Sequence, residues 1–188
     1  MIVKEIYQTL EDRGNPDLIE ANGPFACKHR NSWLGDGYYF WDTFMDNAHW
    51  WGKTVYGKNY IICKANMNFD KSLCYDLLDV ETLLDFTRSI QLLKEKGVIK
   101  DITKVEVQTV LNFLMRSGNF EYPSIRVYGV QSQSVNAVHN KTIKFKIGKV
   151  AYLDLNPAFQ ICIYNLQKVG FKNFKIEFPD YYNESYVL

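Results

Sequence analysis

The stretch WLGDGYYFWDTFMDNAHWWGK, residues 33–53, contains all four tryptophans of the chain and a pair of adjacent tyrosines. Within it, residues 36–41 (DGYYFW) are rich in the aromatic side chains typical of strands and predict a short strand. Asp42 follows and is placed to cap a helix to about Lys53, because its carboxylate can accept hydrogen bonds from the first free backbone N–H groups. The stretch therefore predicts a strand followed directly by a helix.

Period-two alternation of apolar and polar residues predicts further strands on both sides of this stretch. They are expected at residues 1–10, 59–69, 124–131, 141–147, 159–165 and 173–178. No repeat or flexible linker divides the chain, so residues 1–188 are expected to form one domain.

Two helices are expected between the early and the late strands. The first runs from about Val80 to Lys96, with Asp79 as its cap, and the second from Thr103, where T-K-V-E forms a capping box, to Ser117. Helices that precede a run of strands favour an α+β fold with a largely antiparallel sheet.

Composition excludes several classes of protein. The formal net charge is +1, which gives no overall attraction to nucleic acid or to an anionic membrane. No apolar run reaches the roughly 18 residues that a membrane helix needs, and no signal peptide is recognisable, so a cytoplasmic protein without a membrane partner is expected. Cys27, Cys63, Cys74 and Cys162 are scattered, which indicates a reducing compartment. Cys27 and His29 are two ligands and do not make a metal site, so no metal is expected.

Common catalytic signatures are absent from the sequence. It contains no G-x-S-x-G elbow, phosphate-binding P-loop, G-x-G-x-x-G or H-E-x-x-H motif. The histidines, His29, His49 and His139, have no serine or cysteine nearby in sequence that is placed as a nucleophile. The sequence therefore does not favour a serine hydrolase, an NTPase or a zinc protease.

The aromatic stretch carries a motif of its own. W-L-G-D-G-Y-Y-F-W followed by A-H-W-W-G resembles the G-x-G-x-Y-F-W and A-x-x-W-A signature of a bacterial family related to ADP-ribosyltransferases. IYQT at 6–9 is similar to the first-strand Y-H-G-T of these enzymes, NGPFACKHRNSWLG resembles the approach to the second motif, and FQICIYN at 159–165 resembles a Q-I-C-V-x-N strand. The likeness is collinear over about residues 6–166, with 85–140 unmatched.

The resemblance implies a split antiparallel β-sandwich of the ADP-ribosyltransferase type, with helices inserted between the early and late strands and NAD⁺ held in a cleft. It also implies a transferase that moves ADP-ribose from NAD⁺ to a macromolecule, protein or nucleic acid. Loss of nicotinamide leaves an oxocarbenium-like cation, which nearby acceptor groups stabilise while an aromatic face stacks on the departing ring. A bacterial toxin or phage-defence effector with an antitoxin partner is the role that this family suggests.

The family pattern has a first-strand His or Arg, a Tyr or Ser in the second motif, and a late-strand Glu. Carried over to this chain, these positions fall on Gln8, Tyr39 and Gln160, which are the predicted catalytic residues. Tyr39 matches the pattern, since it directly precedes Phe40 and Trp41. The predicted NAD-binding residues are Tyr7, Gln8, Thr9, Gly35, Gly37, Tyr39, Trp41 and Trp50.

Two departures from the pattern leave alternatives open. Gln8 cannot become cationic, and Gln160 is neutral where a carboxylate would stabilise a cation better. Either Gln160 is the normal residue of this branch, since the Q-I-C-V strand that it resembles also carries Gln, or Asp42, Asp154 or Glu177 replaces the carboxylate, unless these three are ordinary surface acids. One alternative is a catalytically degenerate relative that binds a nucleotide or a protein partner without turnover, and another is an interaction protein whose aromatic stretch fills the core.

A basic stretch near the end of the chain offers a place for a phosphate-bearing partner. Its lysines are Lys141, Lys144, Lys146 and Lys149. The alternative is that these lysines form the solvated face of a strand and hold no partner.

Overall fold

The computed structural model describes residues 1–28, 32–118, 120–129 and 142–182, and these contain nine strands and four α-helices. The strands are β1 (Ile2–Glu11), β2 (Tyr38–Asp42), β3 (Tyr60–Phe69), β4 (Tyr75–Asp76), β5 (Ser124–Tyr128), β6 (Thr142–Lys144), β7 (Tyr152–Asp154), β8 (Phe159–Ile163) and β9 (Lys172–Phe178). The helices are α1 (Pro16–Asn22), α2 (Met45–Tyr56), α3 (Val80–Glu95) and α4 (Val107–Arg116).

Seven of these strands form one sheet in the order β4-β5-β8-β2-β1-β3-β9. Neighbouring strands in it pair antiparallel, apart from the parallel pair β4 and β5. Helices α3 and α4 lie in the chain between β4 and β5. The predicted α+β class with a largely antiparallel sheet is therefore confirmed.

The sheet is weakly joined at its centre, between β1 and β2. All ten residues of β1 pair with β3, whereas β1 and β2 share two residue pairs, Ile6 with Asp42 and Tyr7 with Trp41. Past these pairs β1 and β2 no longer pair with each other, although β1 stays paired with β3 and β2 with β8. The separation leaves a gap in the sheet where β1 continues to Glu11 and β2 begins at Tyr38.

The pleat of the strands sorts the side chains onto two faces, since successive residues point in opposite directions. Tyr7, Trp41 and Gln160 lie opposite one another on β1, β2 and β8, and so share one face. Phe40 and Ile161 pair on the other face, where they are buried in a hydrophobic cluster. Helix α2 packs on the first face near Tyr7 and Trp41, while α3 and α4 cover it near β5.

Helix α2 begins later than the sequence predicts. It starts at Met45, its N-cap residue is Phe44, and no side chain caps it. The predicted capping role of Asp42 is therefore wrong. Asp42 ends β2 instead, and its carboxylate accepts hydrogen bonds from side chains of β1 and β5.

Those side chains form a buried ion cluster around Asp42, which is 0% exposed. Its carboxylate accepts hydrogen bonds from Lys4 Nζ at 3.0 Å and from Arg126 Nε at 2.6 Å. Arg126 also donates to Asp76, at 3.2 Å. The cluster thus ties β1 to β2 beside their two backbone pairs and reaches across β8 to β5 and β4.

The remaining helix predictions have mixed outcomes. Helix α3 starts at Val80 as predicted, and Asp79 accepts from the backbone N–H groups of Glu81 and Thr82. The predicted start of the next helix at Thr103 is wrong, because that residue lies in a short 3₁₀ helix and α4 begins at Val107.

The basic stretch lies in a hairpin, β6–β7, that forms its own two-stranded sheet. Lys144, Lys146 and Lys149 are exposed there, while Lys141 lies outside the described residues. Across the described ranges, the structure contains no helix with the length and apolarity needed to cross a membrane.

Candidate functional site

A cleft of about 320 Å³ opens where β1 and β2 separate. Its walls come from β1, β2, β8, α2 and the segment before β2. The residues that line it are Gln8, Thr9, Leu10, Phe25, Ala26, Cys27, Ser32, Trp33, Tyr39, Phe40, Trp41, Trp51, Tyr56 and Gln160. All three predicted catalytic residues, Gln8, Tyr39 and Gln160, are among them.

The lining of this cleft is aromatic and uncharged. Among the described residues that line it, none carries a charged side chain. Phe25, Trp33 and Trp51 retain 40%, 43% and 40% of their accessible surface, although large aromatic side chains usually bury more. Such faces suit a flat ring, and a cationic ring gains further from the negative faces of tryptophan and tyrosine.

Tyr39 is half-buried at one wall of the cleft. Its hydroxyl donates to the Gly35 carbonyl at 2.8 Å and accepts from the Leu34 N–H at 2.9 Å. Burial, followed by the nearby Cys162 thiol, raises the pKa of the phenol above its usual value of 10. The hydroxyl is therefore neutral at physiological pH and holds the segment before β2, and it is the ring that Tyr39 offers to a ligand.

Gln8 also uses its polar atoms within the protein. Its Nε2 donates to the Phe25 carbonyl at 2.8 Å and to the Tyr39 carbonyl at 3.4 Å, and its Oε1 accepts from the Phe25 N–H at 3.0 Å. The buried amide thus bridges the gap between β1 and β2 and fixes the Phe25 segment across it. Gln8 shapes the cleft, and its hydrogen-bonding groups are already occupied.

Gln160 differs from Gln8 in this respect. Its Oε1 is buried and has no hydrogen-bond partner among the described residues. A buried acceptor that lacks a donor costs about 1–3 kcal/mol, and such groups in native proteins are uncommon. Gln160 lines the cleft, and a bound molecule that reaches this oxygen with an N–H or O–H group would satisfy it.

The other predicted NAD-binding residues divide into two groups. Thr9 and Trp41 line the cleft, whereas Tyr7, Trp50, Gly35 and Gly37 do not. Tyr7 is buried beside Ala48 of α2, and Trp50 packs against Trp41 with ring centroids 6.2 Å apart.

The two glycines have structural roles in the segment before β2. Gly35 has a φ of +86°, in the left-handed region that favours glycine. A Cβ on Gly37 would lie 2.5 Å from Cys162 Sγ and 2.9 Å from the Ile163 carbonyl. Gly37 therefore allows the chain to pass close to β8, and the Gly35 carbonyl accepts the hydrogen bond of the Tyr39 hydroxyl.

The three candidate carboxylates lie away from the cleft. Asp42 belongs to the ion cluster on the opposite face of the sheet, Asp154 accepts from the Asn156 N–H at 2.9 Å, and Glu177 pairs with Lys64 at 2.9 Å. None of the three is among the cleft-lining residues. Gln160 therefore has no carboxylate substitute within the described lining.

His49 is not among the residues that line the cleft. His49 packs between α2 and β9, its Nδ1 lies 2.9 Å from the Tyr60 hydroxyl, and burial lowers its pKa. His29 and His139 lie outside the described residues. The pairing of Cys27 with His29 is therefore untested.

Sequence reasoning missed part of the lining. Phe25 and Cys27 lie in the NGPFACKHRNSWLG segment that carries the resemblance, and Trp33 and Trp51 lie in the aromatic stretch, so a signal existed for these four. Tyr56 closes the cleft from the last turn of α2, and nothing in the sequence pattern marks it.

Cys27 is expected to react with a maleimide at pH 8 far faster than the other three cysteines. It is half-buried at the cleft, with its Sγ 3.2 Å from Ser32 Oγ. Cys63, Cys74 and Cys162 are buried, and burial raises the pKa of each thiol to about 12, so little thiolate forms there. Mass spectrometry of the native protein should find one label per chain, and Cys27→Ser should remove it. Labelling of the buried cysteines at a similar rate would contradict this arrangement.

Comparisons with known proteins place the chain near one relative. A protein of Methanocaldococcus jannaschii, described as uncharacterized protein MJ0359, is 22% identical over 175 residues, which cover 85% of this chain and 81% of that protein. No protein-family profile matches the chain, and no solved structure matches it significantly.

Proposed function

We propose that the aromatic cleft binds the nicotinamide end of NAD⁺ and that the protein transfers ADP-ribose from NAD⁺ to a macromolecule. One observation carries this proposal: Gln8, Tyr39 and Gln160 come from three strands far apart in sequence and line the same cleft. These are the positions that the family resemblance assigns to NAD⁺. The near-absence of pairing between β1 and β2 also agrees with a split sheet of the ADP-ribosyltransferase type.

The chemistry that the cleft can supply is mainly positioning and electrostatic. The pyridinium ring of NAD⁺ is flat and cationic, so it is attracted to the faces of Trp41 and Tyr39. In the transfer, the bond between the ribose C1′ and the nicotinamide nitrogen breaks, and its electron pair leaves with nicotinamide. The acceptor nucleophile bonds to C1′ and loses a proton. Gln160 Oε1 accepts from the substrate and places a partial negative charge beside the developing cation.

A second candidate function has a specific observation in its favour. The described lining of the cleft contains no carboxylate, and a neutral amide stabilises a cation less than a carboxylate does. A protein that binds the nucleotide without turnover fits this lining. Roles as a toxin or phage-defence effector, and an antitoxin partner, remain predictions of the transferase proposal.

Added NAD⁺ is expected to raise the melting temperature of the protein and to protect Cys27 from maleimide. A ligand that binds the folded state stabilises it by about 2.7 kcal/mol at a hundredfold excess over its dissociation constant. Both effects should disappear in Tyr39→Ala, because that substitution removes the aromatic wall and the anchor of the preceding segment. Tyr39→Phe is the matched control, since it keeps the ring and removes the hydroxyl.

Release of nicotinamide separates the two candidates. Protection of Cys27 together with nicotinamide release in the presence of cell extract, as a source of acceptors, supports the transferase. Protection without release supports the nucleotide-binding protein. If NAD⁺ changes neither the melting temperature nor the labelling of Cys27, the cleft does not bind NAD⁺ and both candidates fail.

A further inference from the structure

Beside the aromatic cleft lies a second depression, of about 290 Å³, which we call the polar groove. Leu10, Phe25 and Tyr56 line both spaces, so the cleft and the groove are direct neighbours across these side chains. The rest of the groove is formed by Glu11, Arg13, Asn15 and Ile19. Unlike the described lining of the cleft, it contains charged groups, the cation Arg13 and the anion Glu11.

Arg13 supplies the positive charge of the polar groove. Its side chain is 74% exposed and forms an ion pair with Glu11, which is 47% exposed, at 2.6 Å. Ion pairs this exposed contribute little free energy, so the guanidinium can turn to a second anion at small cost. Its planar donor groups match the oxygens of a phosphate.

Asn15 supplies an unused acceptor. Its Oδ1 is buried and has no hydrogen-bond partner among the described residues. The residue precedes α1, yet its side chain makes no cap hydrogen bond. A buried oxygen without a donor is unfavourable, and a ligand N–H or O–H group in the groove would relieve it.

We propose that the aromatic cleft and the polar groove form one elongated site, in which the groove holds the adenosine diphosphate half of a dinucleotide. Arg13 binds the pyrophosphate, and Asn15 Oδ1 accepts from the adenine amino group or a ribose hydroxyl. The proposal rests on NAD⁺ as the ligand of the cleft. The proposal also means that residues other than Gln8 bind the adenosine half, because the Gln8 amide is fully engaged with Phe25 and Tyr39.

The test compares the wild-type protein and Arg13→Gln by calorimetric titration with NAD⁺, ADP and nicotinamide. Loss of a charge-assisted contact to phosphate is expected to weaken ADP and NAD⁺ binding about tenfold and to leave nicotinamide binding unchanged. Arg13 is exposed, so its replacement should not disturb folding. Arg88→Gln, an exposed arginine on α3, is the matched control and should bind all three compounds like the wild type.

The outcomes separate this inference from the proposed function. If the wild type binds NAD⁺ and Arg13→Gln binds both NAD⁺ and ADP equally well, the groove assignment is overturned while the cleft proposal stands. If ADP binds through Arg13 and NAD⁺ does not bind, the groove is a separate nucleotide site, and both the elongated site and the proposed function are overturned. If the wild type binds neither ADP nor NAD⁺ at millimolar concentrations, both are overturned.

Discussion

Replacement of Asp42 by alanine is expected to lower the free energy of unfolding by about 3–5 kcal/mol, because it leaves the largely buried Lys4 without an anion and removes one of the two anions that Arg126 contacts. The side chains of Lys4 and Arg126 are each 14% exposed, and both donate to the Asp42 carboxylate. Lys4 would retain no anion in the cluster, and Arg126 would retain Asp76. Urea denaturation of the two proteins, followed by tryptophan fluorescence, measures the difference.

The matched control is an acid in an exposed ion pair. Glu81 is 88% exposed and lies 3.7 Å from Lys71, which is 80% exposed, so Glu81→Ala should cost about 1 kcal/mol or less. A difference between the two variants smaller than about 1 kcal/mol would show that the buried cluster does not hold the sheet together. Asp42→Asn, which keeps the shape and removes the charge, should fall between the two.

The role of Asp42 also shows where the sequence misleads. An aspartate after a strand and before a helix is a typical cap, and local reasoning has no means of detecting Lys4 and Arg126, which come from distant parts of the chain. Thr103 is a similar case. The T-K-V-E segment predicts the start of an α-helix, but Thr103 lies in a short 3₁₀ helix that Asp101 caps. Contacts distant in sequence decide the conformation at Asp42, and a competing local turn decides it at Thr103.

Long strands and helices were predictable because the period of their apolar residues indicates which face is buried. The ten-residue strands β1 and β3 and the sixteen-residue helix α3 match their predicted positions closely. Short elements carry too few residues to show a period, and the two-residue strand β4 and the seven-residue helix α1 have no counterpart among the predictions.

The residues that the strands contribute to the candidate site were predictable, and the lining residues outside the motifs were not. Gln8, Tyr39 and Gln160 belong to motifs, and register brings their strands together. Tyr56 and Arg13 belong to no motif. Tyr56 lines the cleft and Arg13 lines the neighbouring groove because α2 and the chain after β1 fold back beside the gap in the sheet. The gap itself depends on how few pairs join β1 and β2, which no local pattern encodes.

Neighbouring residues of β2 serve different purposes. Trp41 faces the cleft, while its neighbour Asp42 anchors the ion cluster on the opposite side. The cluster secures the sheet where backbone pairing between β1 and β2 is scarce, and this allows the strands to diverge beyond it. The cleft itself draws on both faces, because Gln8 and Phe40 line it together with Trp41 and Gln160.

The second large effect is expected from Gln160→Glu, which should accelerate nicotinamide release about a hundredfold if the cleft stabilises an oxocarbenium-like cation. A full negative charge of nearly the same shape would replace a neutral oxygen that has no partner among the described residues. Single groups aimed at transition-state charge typically change rates by about 10²–10³. Gln160→Ala should lower release below that of the wild type, as measured by chromatography of nicotinamide.

Gln8→Glu provides the matched control, because it makes the same chemical change in the same cleft. Gln8 donates through Nε2 to two backbone carbonyls, so a carboxylate there would repel them and destabilise the protein without accelerating the reaction. Faster release in Gln160→Glu alone would locate the reacting ribose beside β8. Equal or slower release in Gln160→Glu, with NAD⁺ still bound, would exclude cation stabilisation at position 160 and favour a protein that binds the nucleotide without turnover.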